Sequence, residues 1–111
     1  MSSLSSTNTI DITSRLSNAP TTIKVAEDAE FVVNDKKNNI LQLNQLLSQG
    51  NMSDIDTLDK AIKLTLGEEA YDYIEAQNWS LHNYQIVFIA IMASVLRVSY
   101  EDAEKRFLQQ V

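Results

Sequence analysis

The spacing of hydrophobic residues along this chain changes once, near Asn34. Between Thr22 and Val33 apolar side chains alternate with polar ones, which is typical of strands with one buried face. After Asn34 they recur every three or four residues, which is the period of helices with one buried face. We therefore predict a mainly α fold of the α+β class. Four to five short helices surround a central apolar helix, and an N-terminal β-hairpin packs against them.

The predicted hairpin covers about residues 22–33. Ile23 and Val25 share one face, and Phe31 and Val33 share another, with an acidic turn between the two runs. Because the turn contains neither glycine nor asparagine, we expect a loop of about four residues instead of a tight turn with positive φ angles. Two strands alone are only marginally stable, so we expect the hairpin to lie on the helices.

The N-terminal segment differs in composition from the rest of the chain. Residues 1–9 are almost all Ser, Thr and Asn, and they are predicted to be a disordered tail because they can bury too little surface to offset chain entropy. They have neither the basic start nor the apolar stretch of a signal peptide. Ile10, Ile12 and Leu16 then alternate with polar residues and suggest a short strand. A single domain is predicted over residues 10–111.

Serines mark three predicted helix starts, and glycines mark two predicted helix ends. A serine before a helix can accept a hydrogen bond from a backbone N–H of the first turn, and an acidic residue three positions later completes a capping box. Glycine is common just past a helix end. The starts are Ser53 with Asp56, Ser80, and Ser99 with Asp102, and the ends are Gly50 and Gly67.

Each predicted helix presents an apolar face to the core and charged residues to solvent. The core-facing residues are Ile40, Leu43 and Leu47, then Ile55, Leu58, Ile62 and Leu66, then Tyr71 and Ile74, and finally Tyr100, Ala103 and Phe107. Acidic residues precede basic ones by four positions on the outer faces, a spacing that supports ion pairs. These pairs are Asp56 with Lys60, Asp59 with Lys63, Glu101 with Lys105, and Asp102 with Arg106. Trp79 and Tyr84 flank the Ser80 cap at the positions of a hydrophobic staple.

Residues 86–93 form an unbroken apolar run, IVFIAIMA, within a helix predicted from about Leu81 to Arg97. The run is too short to cross a bilayer, which takes about 18 or more apolar residues. A helix that is apolar on every side has to be buried on every side. It is either the centre of the core or, on one side, a contact with a second copy of the chain or with another protein. The candidate contact residues are Ile86, Phe88, Ile89 and Met92.

Composition narrows the possible functions. The chain has 111 residues, with 9 basic and 15 acidic side chains, a formal net charge of −6 and no cysteine. The lack of cysteine removes thiol catalysis, zinc–thiolate sites and disulfides. The acidic balance disfavours non-specific binding of nucleic acid, and neither of the two glycines stands in a phosphate-binding pattern. We expect a protein that is not an enzyme, with no cofactor and no metal, and with neither nucleic acid nor a membrane as partner.

Two polar features remain to be assigned. His82 is the only histidine, and Ser80 lies beside it, but a surface histidine and a helix cap explain this pair better than a hydrolytic triad does. Glu68, Asp72 and Glu75 fall at i, i+4 and i+7 on one helix face. This acidic stripe is either a solvated face or a docking face for a basic partner. A metal site would need further ligands from other elements.

Four segments carry a resemblance to a known family. They are residues 23–41 (IKVAEDAEFVVNDKKNNIL), 66–75 (LGEEAYDYIE), 81–93 (LHNYQIVFIAIMA) and 99–107 (SYEDAEKRF). In their order, size and helical pattern they resemble the small tail assembly chaperones of long-tailed (siphovirus-type) bacteriophages and of prophages of Gram-positive bacteria. The resemblance covers roughly residues 22–108, and it includes the short hairpin that leads into helices.

The resemblance implies a protein of the host-cell cytoplasm that coats the very long, helical tape measure protein and recruits tail tube subunits. It also implies a longer form made by ribosomal frameshifting. The contact surface would then be the side of the apolar helix named above, with the acidic stripe as its outer rim. Two alternatives are a small tail or head-completion protein retained in the virion, and a small homo-oligomeric regulator that binds another protein.

Overall fold

The computed structural model describes residues 8–17, 19–50 and 54–110. Over this part of the chain a two-stranded antiparallel hairpin precedes five helices, which confirms the predicted mainly α fold with an N-terminal hairpin. The elements are β1 (Thr22–Ala26), β2 (Ala29–Val32), α1 (Lys37–Gln49), α2 (Ile55–Leu66), α3 (Glu68–Ala76), α4 (Leu81–Leu96) and α5 (Tyr100–Gln110). Most of the predicted disordered tail and the predicted Ser53 cap lie outside the described residues.

The hairpin turn is tighter than predicted. β1 ends at Ala26 and β2 begins at Ala29, so that two residues connect the strands instead of about four. The turn has no positive φ angle, and the strand register shifts between Lys24 and Ala26. The shift leaves one extra residue in β1, and such a bulge increases the local twist of the strand. The added twist allows a turn without positive φ angles to connect the two strands.

The two strands direct their apolar residues to a shared face. Ile23 lies opposite Phe31 in the register, so these two side chains belong to one face of the hairpin, and not to separate faces. Val33, just after β2, is fully buried, whereas Val32 points outward and is exposed. The Phe31 ring lies 5.7 Å from the ring of Tyr73 on α3. The hairpin is therefore supported by the helices, as its marginal intrinsic stability requires.

The N-terminal arm, residues 8–17, contains a turn where the sequence suggested a strand. The backbone N–H groups of Arg15 and Leu16 both donate to the carbonyl oxygen of Ile12. Asp11 accepts a hydrogen bond from the backbone N–H of Thr13 at 3.0 Å. All the side chains of this arm are exposed, and within the described part of the chain the sheet consists of β1 and β2 alone, so no strand there pairs with the arm.

The hairpin exit is tied to the helices by side-chain and backbone hydrogen bonds. The backbone N–H of Asn34 donates to the carbonyl oxygen of Thr65 at 2.8 Å. The side-chain amide of Asn39 donates to the carbonyl oxygens of Asn34 and Leu64, both at 2.9 Å. One amide thus joins the segment before α1 to the last turn of α2, where backbone carbonyls have no partner within the helix.

The helix ends follow the sequence in part. Ser99 accepts a hydrogen bond from the backbone N–H of Asp102, as predicted, and the backbone N–H of Gly50 closes α1. Gly67 has a φ angle of 93°, a conformation that glycine adopts readily. Ser80 makes no side-chain cap hydrogen bond, so that prediction was wrong. At α2 the capping side chain is Asp54, which accepts from the backbone N–H of Asp56.

Fewer surface ion pairs form than the sequence predicted. Asp56 and Lys60 are paired at 3.0 Å, as expected. Lys63 lies over the ring of Tyr71, with its Nζ 4.5 Å from the ring centroid, where an ion pair with Asp59 was predicted. The two ion pairs predicted on α5 are also not formed among the described residues. Exposed pairs contribute little to stability, so neighbouring groups easily compete for a lysine.

The core has two parts, and α4 contributes to both. One part joins the hairpin to α2, α3 and α4, and the other joins α1, α2, α4 and α5. The first contains Val33, Ile62, Leu66, Ala70, Ile74, Val87 and Ile91. The second contains Leu43, Leu58, Ala61, Phe88, Ile89, Ala103 and Phe107. The apolar run is therefore the centre of the fold, as one of the two sequence interpretations proposed.

Candidate protein-binding surface

The four candidate contact residues of α4 do not lie on one side of the helix. Phe88 is 1% exposed and Ile89 is also buried, so neither offers surface to a partner in this fold. Met92 is partly buried, and Ile86 is 39% exposed. Because successive residues of a helix are about 100° apart, Ile86 and Phe88 point in nearly opposite directions. Grouping them as one contact surface was therefore wrong, and only Ile86 remains clearly accessible.

Ile86 lines an open groove between the hairpin and α4, which we call the β1–α4 groove. Its lining is mostly apolar, with one lysine and one asparagine. The lining residues are Ile23, Lys24, Val25, Trp79, Asn83, Ile86, Val87 and Ala90.

The acidic stripe of α3 lies at the surface, as predicted. Glu68, Asp72 and Glu75 are all exposed. The three do not act alike, because the hydroxyl of Tyr84 on α4 donates a hydrogen bond to the Glu75 carboxylate. Glu75 is thereby connected to α4, whereas Glu68 and Asp72 are solvated.

A second groove adjoins this end of the acidic stripe, and we call it the α2–α4 groove. It is lined by Ile55, Leu58, Asp59, Glu75, Trp79, Leu81 and Tyr84. Ile55 was predicted to face the core, yet it is 59% exposed, and Leu81 is exposed as well. The groove therefore combines apolar side chains with two carboxylates from different helices.

The tyrosines of this region have raised pKa values, chiefly because of burial. Burial raises the pKa of Tyr84 to about 12, and the hydrogen bond to Glu75 and the charges of Glu75 and Asp59 add to the effect. Burial also raises the pKa of Tyr71, again with contributions from Asp59 and Glu75. Both hydroxyls are therefore neutral donors at physiological pH.

The sequence pointed to Glu75 but missed its neighbours. Asp59 was assigned to an ion pair, and Ile55 to the core, because both fit the local helical pattern. Tyr71 was expected to point inward. The position of Ile55 could have indicated its exposure. It is the first residue of α2, and neighbouring helices cover the first turn of a helix least.

The other polar residues considered in the sequence do not come together in a catalytic or metal site among the described residues. His82 and Ser80 are both exposed. Within the described residues no three His, Asp or Glu side chains are grouped so that they could hold a metal ion. None of the described helices has both the length and the hydrophobicity that are needed to cross a bilayer.

Comparison with known proteins identifies no similar protein. No protein-family model, no curated protein and no solved structure matches the chain. The β1–α4 groove, the α2–α4 groove and the acidic stripe are the surface features that bear on function in the described part of the chain.

Proposed function

We propose that this protein is a tail assembly chaperone of a long-tailed bacteriophage or prophage. In this role it binds the tape measure protein in the host-cell cytoplasm, recruits tail tube subunits and performs no catalysis. The proposal combines the resemblance of four sequence segments with the character of the surface.

The α2–α4 groove is the observation that carries the proposal. Ile55 and Leu81 expose apolar surface beside the carboxylates of Asp59 and Glu75. An amphipathic helix with an apolar seam and basic flanks is complementary to such a groove, because its side chains bury the apolar surface while its cations meet the carboxylates. A tape measure protein is expected to expose apolar helical seams before the tube encloses it.

The net charge of the chain supports the same role. A formal charge of −6 keeps small proteins apart from one another and helps a complex with an apolar partner to stay in solution. Many copies along one helical partner would therefore cover its seams while presenting an acidic outer surface, including Glu68 and Asp72.

The test is a purification of the N-terminally tagged chain from cells that carry its gene with the downstream DNA intact. Mass spectrometry of the recovered proteins is expected to find a very long helical protein, together with an elongated form that shares this N-terminus. Recovery of the chain alone would contradict the proposal. Its presence in purified phage particles would favour the alternative of a structural virion protein.

Matched variants then locate the binding surface. Ile55→Ser combined with Leu81→Ser is expected to reduce recovery of the long partner at least about tenfold, because two exposed apolar contacts are lost. The control combines Leu41→Ser with Leu108→Ser, two exposed leucines on α1 and α5 outside the groove. Equal recovery with both double variants would exclude the α2–α4 groove as the contact.

A further inference from the structure

The N-terminal arm carries apolar side chains that the fold does not bury. Ile10, Ile12 and Leu16 are 85%, 50% and 67% exposed. Clustered exposed apolar residues mark interaction sites more often than they mark plain surface. Ile10 and Ile12 are two positions apart, so that an extended backbone would place both on one side.

Among the described residues no strand pairs with the outer edge of β1, so the hairpin offers an open edge to such a segment. The backbone N–H of Val33 donates to the carbonyl oxygen of Thr21 at 2.8 Å, which fixes the alternation of the ladder. In this alternation the backbone N–H and C=O groups of Ile23 face β2. Those of Thr22 and Lys24 point away from β2, toward the open edge. An open edge of this kind is a template for a further strand.

The β1–α4 groove lies along the same strand. Ile23 and Val25 form its hairpin side, and Ile86 and Ala90 form its helix side. A strand added to the edge of β1 with its apolar face toward α4 would therefore cover this groove. The hairpin would become a three-stranded sheet, which is the size at which a sheet with one apolar face gains independent stability.

We propose that residues 10–13 of a second copy of this chain add to the edge of β1 as a third strand. Ile10 and Ile12 then occupy the β1–α4 groove, and Asp11 lies on the solvent side of the sheet. Thr22 and Lys24 are exposed on that side. Lys24 is paired with Glu27 at 3.1 Å, so Asp11 would share this exposed lysine with Glu27 as a cross-strand neighbour of opposite charge.

The path of the arm favours a second copy over the same chain. Ser17, Ala19 and Pro20 lie beside Val32 and Val33, on the β2 side of the hairpin. Although the arm is continuous with β1, this position directs it toward the end of β2 and away from the open edge. Exchange of two arms between two copies forms a closed, symmetric dimer in which both edges are covered.

The arm loses few interactions when it exchanges between copies. Its turn consists of hydrogen bonds made by the backbone N–H groups of Thr13, Arg15 and Leu16, in a segment that is exposed throughout. An added strand replaces them with backbone hydrogen bonds to β1 and removes two isoleucines from water.

The first test is the molar mass of the whole chain in solution, measured by light scattering over a dilution series. We expect a dimer. The variant Ile10→Ser with Ile12→Ser is expected to raise the dissociation constant about ten-thousandfold, because two exchanged arms lose four isoleucines and each contributes roughly tenfold. The Leu41→Ser and Leu108→Ser control is expected to dimerise normally. A wild-type monomer at the highest concentration, or equal effects of the two double variants, would overturn the proposal.

The second test uses the absence of native cysteine to locate the contact. One chain carries Asp11→Cys and another carries Lys24→Cys. When the mixture is oxidised, the dominant disulfide is expected to join position 11 of one chain to position 24 of the other. A control mixture replaces Lys24→Cys with Glu104→Cys on α5. Equal yields from both mixtures would contradict the strand exchange. A monomeric double variant, Asp11→Cys with Lys24→Cys, that closes a disulfide within one chain would overturn the second copy as occupant. Neither test depends on the proposed function.

Discussion

The ring of Phe88 on α4 lies against the ring of Phe107 on α5, with centroids 6.0 Å apart and planes inclined at 58°. Both residues are buried, and tilted aromatic pairs at this distance attract one another beyond the effect of burial alone. This contact fixes the last helix of the fold to its central helix. It also explains why Phe88, a candidate contact residue by sequence, is part of the core.

Replacement of Phe88 by alanine is expected to lower the free energy of unfolding by about 3–5 kcal/mol, because a large cavity remains in the core. Leu108→Ala, at a position that is 63% exposed, is the control and is expected to change it by less than about 0.5 kcal/mol. Urea denaturation followed by circular dichroism measures both. A stable Phe88→Ala variant that instead loses self-association would place Phe88 in an interface.

Asn39 is expected to matter more than its neighbour Asn38. Asn39→Ala removes the donor to the partly buried carbonyl of Leu64, and a polar group left without a partner costs about 1–3 kcal/mol. Asn38 is exposed at the next position of α1, so that Asn38→Ala is the matched control. Comparison of the two denaturation midpoints decides the matter. Equal midpoints would show that water replaces the Asn39 amide.

The two predicted serine caps are expected to differ in stability effect. Ser99 accepts a hydrogen bond from the first turn of α5, so Ser99→Ala should cost about 1 kcal/mol. Ser80 makes no such bond, and Ser80→Ala should change stability by less than about 0.5 kcal/mol. Thermal unfolding of both variants tests this, and the reverse order of effects would contradict the capping assignment.

The raised pKa of Tyr84 predicts that the folded protein loses stability at alkaline pH. Its folded-state pKa of about 12 lies above the ordinary value of 10.0. A raised pKa means that the folded state holds the proton more tightly, so this stabilisation is complete below pH 10 and is lost as the pH rises from 10 to about 12. Tyr84→Phe removes this dependence, and its free energy of unfolding should fall less steeply over the interval.

The tyrosinate absorbance provides an independent check of the same group. Subtraction of the Tyr84→Phe titration from that of the wild type isolates the ionisation of Tyr84. A midpoint near 12 is expected, and a midpoint near 10 would show that neither burial nor Glu75 acts on the hydroxyl.

Several elements could be predicted from the sequence because their signals are local. The periodicity after Asn34 defined the helices, and the alternation before it defined the hairpin. Ser99 capped its helix as expected, since a cap involves residues only three positions apart. The acidic stripe was also visible, because i, i+4 spacing places residues on one helix face whatever the tertiary contacts are.

Which side of an evenly apolar helix is covered depends on the elements that pack around it. α4 gives no preferred face of its own, so its neighbours determine that Phe88 is buried and that Ile86 is exposed. The same reason places Ile55 in a groove beside Leu81 and Tyr84, where no other element covers it fully. Local spacing determines what a segment can become, but burial depends on the surfaces that the other segments bring against it.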